Sequence, residues 1–243
     1  SKPGEPKYYV SSYIDGIQLD EVSRIHTHTP GMESGGNQVM VDVLRKAAGS
    51  YQDLLKAYEP TRTVSTAQAI KGMSRFMAAL GWWQAQMLKT SPASASAIAQ
   101  IVYDLTANFL KYGKDFMGIA HGDIISDHVR TPDLKPLRRE DRYEVKPHLL
   151  DLNAQVKPGP GFYDEVRALD STLVHSHTPA ELANVVYAAV RSLERRFDPK
   201  LVRPIVRARM LAIGTDLIKH KNTGPYDSIS RNQIRMALIE ASH

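Results

Sequence analysis

Two histidine pairs share one spacing: His26 with His28, and His175 with His177, each separated by a single residue. On an extended segment residues i and i+2 project to the same side, so either pair could chelate Zn²⁺ through two imidazoles. His121, Asp123, Asp127 and His128 are the further donors that a catalytic metal would require. The alternative needs no metal: imidazoles beside a helix start can hydrogen-bond backbone carbonyls. The adjacent acids Glu140-Asp141 and Asp164-Glu165 offer less, because neighbouring side chains on a helix point in different directions. The chain has no cysteine, which excludes disulfides, thiolate metal sites and a cysteine nucleophile. It also lacks a Gly-x-x-x-x-Gly-Lys-Ser/Thr phosphate loop and a Gly-x-Ser-x-Gly nucleophile elbow.

The second available chemistry is phosphate binding by arginine, whose fork of donors matches phosphate oxygens. The 243 residues carry 31 Lys+Arg against 26 Asp+Glu, a net charge of +5. Residues 1–190 hold 20 basic and 21 acidic side chains, whereas residues 191–243 hold 11 and 5, a local net of +6. Eight of those eleven cations are arginine, and the excess therefore belongs to one end of the chain.

Helical spacing sorts these cations by face. At about 100° per residue, Leu201, Val202, Ile205, Val206, Met210, Ile213 and Leu217 form one apolar side of a helix after Pro199. Lys200, Arg203 and Arg207 fall together on the other side. Arg209 falls within the apolar face, so it must be paired, either with an interior carboxylate or with a phosphate in a cleft. In the preceding helix Leu182, Val185, Val186, Ala189, Val190, Leu193 and Phe197 face inward, and Arg191 and Arg195 share the outer side. The candidate nucleic-acid ligands are Arg191, Arg195, Lys200, Arg203, Arg207, Arg231 and Arg235. Tyr187 and Tyr226 lie close enough in sequence to supply base stacking. The competing reading is a solvated basic face, or one paired with acids elsewhere in the chain.

The elements that must position these residues are mainly helices. Residues 1–38 read as an N-terminal arm or irregular cap with one or two short strands, broken by glycines from Gly31 to Gly36. An N-terminal helical lobe over 39–117 holds a helix from Val39 to Tyr58, one from about Ser65 to Lys89, and one from Ser91-Pro92 to about Met117. Trp82-Trp83 in the second is expected in the core or in a subunit contact. Residues 118–163 hold five prolines without helical periodicity and read as an ordered loop or linker. The basic C-terminal lobe over 164–243 opens helices at the capping box Thr178-Pro179-Ala180-Glu181 and at Asp198-Pro199, and a last one covers about Ile229 to Ala241. The expected fold is all-α, with six or seven helices in two lobes and an extended N-terminal arm. No apolar run reaches the roughly 20 residues that cross a bilayer, and the first residues lack the apolar core of a signal peptide.

Two segments are alike: Leu19-Asp20 followed by His26-Thr27-His28-Thr29-Pro30, and Leu169-Asp170 followed by His175-Ser176-His177-Thr178-Pro179. Each precedes a helix, either as a trace of two lobes on one plan or as two similar turns. His26-Thr27-His28-Thr29-Pro30-Gly31 also resembles the opening motif of metal-dependent phosphoesterases and amidohydrolases. Those enzymes are α/β barrels with further His and Asp ligands at strand ends, and this chain has little strand pattern to hold them.

Near the other end, Thr223-Gly224-Pro225-Tyr226-Asp227-Ser228-Ile229-Ser230-Arg231 leads on to Ile234, Ala237 and Ile239, after the small-residue stretch Ala212-Ile213-Gly214-Thr215. This region, residues 212–239, resembles coat proteins of flexible filamentous plant viruses of the potexvirus kind. There a Gly-Pro turn and an Ile/Val-Ser-Arg segment lead into an Ala-rich helix, although those coat proteins continue beyond the point where this chain stops. The resemblance implies an all-α core, a basic groove clamping single-stranded RNA, and a terminal arm docked on the next subunit.

The leading expectation is a self-assembling, sequence-non-specific RNA-binding protein, a viral coat or nucleocapsid protein forming filaments or other homo-oligomers, with no enzymatic activity, cofactor or membrane partner. Its place would be the virion or host cytoplasm if viral, and otherwise the cytoplasm. The alternatives are a metal-dependent hydrolase using His26, His28, His175 and His177, or a helical scaffold whose basic end binds an acidic protein.

Overall fold

A computed structural model describes residues 17–19, 36–58, 63–90, 95–125, 128–131, 147–149, 154–170 and 179–219. Of these, 75% are helical. The helices are α1 (Gly36–Tyr58), α2 (Thr66–Thr90), α3 (Ala95–Tyr112), α4 (Tyr163–Arg167), α5 (Pro179–Glu194) and α6 (Pro199–Lys219). The expected all-α class is corrected by two small antiparallel sheets. One runs in the order β1 (Ile17–Gln18), β3 (Val129–Thr131), β4 (His148–Leu149). The other pairs β2 (Met117–Ala120) with β5 (Gln155–Pro158), Met117 opposite Pro158 and Ala120 opposite Gln155. Strands of two to four residues are too short for an alternating pattern to stand out, and their partners lie far away in the chain.

Local chemistry explains where the helices begin and end. Ser65 and Gln68 cap α2 reciprocally: the Ser65 N–H donates to Gln68 Oε1 at 3.0 Å, and the Gln68 N–H donates to Ser65 Oγ at 3.3 Å. Asp198 Oδ1 accepts the Lys200 N–H at 2.9 Å and opens α6, with Pro199 as the first helical residue. Pro204 inside α6 has no N–H for the Lys200 carbonyl, and Asn108 of α3 donates its side-chain amide to that oxygen at 2.8 Å. α3 stops at Tyr112, short of the expected Met117. Gly113 takes φ +57°, and residues 113–116 tighten into a 3₁₀ turn that leads into β2.

The helices expected in separate lobes meet in one core. Phe76 and Leu80 of α2, Leu105 of α3, Val186 and Leu193 of α5, and Val202, Ile205 and Val206 of α6 are buried in a single cluster. Ala120 and Phe162, from residues 118–163, belong to the same cluster. A smaller cluster joins Val43, Leu44, Ala47 and Tyr51 of α1 to Leu19, Ile124 and Val129 beside the three-stranded sheet. The middle of the expected arm is thus anchored, with Leu19 buried and Ile17–Gln18 paired to β3. α5 starts at Pro179 as expected, whereas Thr178 and the helix expected over 229–241 lie outside the described residues.

Candidate nucleic-acid interface

The basic residues gather where α5 turns into α6. After Glu194 the chain turns tightly, the Arg196 and Phe197 N–H groups both donating to the Leu193 carbonyl at 2.9 Å, before Asp198 and Pro199 start α6. Val185, Val186, Ala189, Val190 and Leu193 of α5 and Val202, Ile205, Val206 and Met210 of α6 are buried as their spacing predicts, while Arg191, Arg195, Lys200 and Arg203 are exposed.

Two depressions flank this corner and share Pro199. The first, about 820 Å³, is lined by Tyr187, Arg191, Arg195 and Glu194 among others. The second, about 430 Å³, is lined by Lys200, Arg203 and Arg207 on α6, facing Asp104 and Asn108 on α3. Five of the seven candidate ligands therefore surround one corner. Arg231, Arg235 and Tyr226 lie outside the described residues.

The five cations are not equivalent. Arg191, Arg195 and Lys200 are exposed. Arg191 donates from Nε to the Tyr187 hydroxyl at 2.9 Å, and its guanidinium lies 5.3 Å from that ring's centroid. The hydrogen bond to Tyr187 raises the pKa of Arg191. Arg203 bonds Glu194 Oε1 at 2.6 Å, with its side chain 44% exposed. Arg207 is only 16% exposed and stands 3.8 Å from Asp104. Burial lowers its pKa and Asp104 opposes that shift. Glu194 and Asp104 thus neutralise part of the α6 stripe, so Arg203 and Arg207 follow the competing reading of a basic face paired with acids elsewhere in the chain.

Arg209 is buried, as its place on the apolar face requires, and its guanidinium sits 5.6 Å from the Trp83 ring centroid. Trp83 also meets Phe76 edge-to-face at 6.3 Å and packs on the main core, while Trp82 is 41% exposed.

Two carboxylates, Glu165 and Asp164, have roles that sequence reasoning missed. Glu165 Oε2 accepts Arg196 Nη2 at 2.6 Å and Arg45 Nη2 at 3.2 Å, and Arg45 also donates to Ser192 Oγ at 2.7 Å. Asp164 accepts the N–H groups of His121 and Gly122 at 2.8 Å each. Neither role is visible in the adjacency of the two acids, because each finds partners more than thirty residues away. A further cavity of about 380 Å³ lies between α1 and β2, lined by Gln52, Lys56, Lys114, Gly118 and Gly161 among others. The Gly/Pro run 158–161 is the only local hint of it.

The histidine chemistry is placed in part. His121 is buried with its ring edge-on to Tyr51 at 5.3 Å. His128 Nδ1 lies 2.9 Å from the Asp123 carbonyl oxygen, and Asp123 Oδ1 accepts Arg167 at 3.0 Å. No group of three or more His, Asp or Glu suited to a metal occurs among the described residues. His26, His28, His175, His177 and Asp127 lie outside them. No described helix is long and apolar enough to cross a membrane. No family model, curated protein or solved structure matches this chain.

Proposed function

We propose that this protein binds single-stranded RNA without reading its sequence and assembles with further copies of itself, as a viral coat or nucleocapsid protein does. The observation that carries this reading is the set of exposed cations Arg191, Arg195 and Lys200 around Pro199, joined by the half-exposed Arg203. Those residues would meet phosphates, while Arg207, held near Asp104, would contribute through its charge at the floor of the second depression. The local net charge of +6 over residues 191–243 and the short likeness at 212–239 point the same way.

Filter binding of a single-stranded RNA at several salt concentrations tests the reading. Binding should weaken steeply with salt, with a log–log slope of about −0.7 per phosphate contact. Arg195→Glu combined with Lys200→Glu should weaken binding and shallow that slope by about 1.4. Both side chains are exposed, so the fold should survive the change. Affinity and slope equal to those of the unmodified protein would remove this corner as the interface.

A further inference from the structure

We infer that Tyr187, braced by Arg191, is a stacking platform for an unpaired base, so that this corner selects single-stranded nucleic acid over a bare polyanion. The inference rests on the RNA-binding reading above and adds a ligand class to it. Tyr187 is 53% exposed, one of the few large aromatic side chains left open to solvent in the described helices. It stands in the larger of the two depressions, beside Arg191, Arg195 and Pro199, and not on a remote face.

Four physical features suit it to a base. The Tyr187 hydroxyl accepts Arg191 Nε at 2.9 Å, one helical turn on, which holds the ring in one orientation before any ligand arrives. The guanidinium lies close to the ring, 5.3 Å from its centroid, so a planar cation and an aromatic surface are presented together. Both groups stack on nucleobases of any identity, which adds affinity without sequence preference. The depression, about 820 Å³, lies within the usual range for pockets that take a small ligand, about 300–1,000 Å³. Exposed Arg195 and Lys200 lie to either side of Pro199, where the sugar-phosphate chain of a stacked nucleotide would leave. A duplex keeps its bases within its own stack and cannot offer one to Tyr187 without unpairing it.

The test compares a uridine oligonucleotide, an abasic sugar-phosphate strand of equal length and charge, a duplex, and polyglutamate, each against the full chain at fixed salt. Expected is about fivefold or tighter binding of the oligonucleotide than of the abasic strand. Tyr187→Leu should abolish that increment with no change in salt slope, and Tyr187→Phe, which keeps the ring, should retain most of it. Arg195→Glu with Lys200→Glu should do the reverse, changing the slope and sparing the base increment. Equal binding of the oligonucleotide and the abasic strand, or an increment that survives in Tyr187→Leu, overturns the platform and leaves RNA binding standing. Binding of polyglutamate without binding of any nucleic acid overturns both, in favour of an acidic protein partner.

Discussion

Asp164 shows how a single carboxylate can hold a turn at a cost. It is buried, and burial pushes its pKa above the ordinary 3.8, while the N–H groups of Gly122 and His121 partly offset that shift. The unfolded chain therefore loses this proton near pH 3.8 and the native chain only at higher pH. Between the two values the native state holds more protons, so this group's contribution to stability falls as pH rises through the window. Asp164→Asn removes the titration but supplies only one acceptor for two donors, which should cost about 1–3 kcal/mol. Urea unfolding of both proteins from about pH 3 to pH 7 should show the unmodified protein losing part of its advantage as pH rises. A constant difference across that range would contradict the assignment. Glu165 next to it has another structural role, since Arg45 and Arg196 converge on one of its oxygens at 3.2 and 2.6 Å.

Among the elements, glycines in helices separate propensity from packing. Gly49 in α1 has open space where a Cβ would stand. Gly72 in α2 lies against β5, where a Cβ would come within 2.9 Å of Val156 Cγ1 and of the Val156 carbonyl oxygen. Gly49→Ala should raise stability by about 0.5–1 kcal/mol, because alanine loses less backbone freedom on folding. Gly72→Ala should lower it by about 1–3 kcal/mol, because a strand carbonyl cannot yield as a side chain does. Thermal unfolding of the two variants decides the matter, and a Gly72→Ala protein as stable as the unmodified one would disprove the close α2–β5 contact. The helical content was legible in the sequence and the sheets were not. Caps, prolines and 3.6-residue periodicity mark the helix ends near Tyr58, Pro179 and Pro199 locally. Met117–Ala120 becomes a strand only because Gln155–Pro158 lies beside it.

For the whole molecule, the shared core bears on assembly. α6 contacts α2, α3, α4 and α5, so the basic corner is held by the same core that buries the N-terminal helices. An RNA load on α5 and α6 would thus be carried by the whole described body. If the proposed assembly on RNA is right, electron microscopy of the purified protein should show filaments or regular particles, with ultraviolet absorbance characteristic of co-purified nucleic acid. A monodisperse monomer by light scattering, free of nucleic acid, would count against self-assembly around RNA.

The amino-acid sequence by itself determined the helical character, the starts of α2, α5 and α6, the burial of Arg209, and the concentration of arginine at one end. Each of these follows from neighbours within a few residues: a cap, a proline, a periodic apolar side or a local count of charge. Only the tertiary structure decided that the two helical groups share a core, that Glu194 and Asp104 temper Arg203 and Arg207, and that Asn108 satisfies the carbonyl freed by Pro204. Nor could the sequence decide that Tyr187 stands in the depression with Arg191 and Arg195. Hydrogen bonds and Coulomb forces act over a few ångströms of space, and most of these partners are brought within that range only when distant segments pack together.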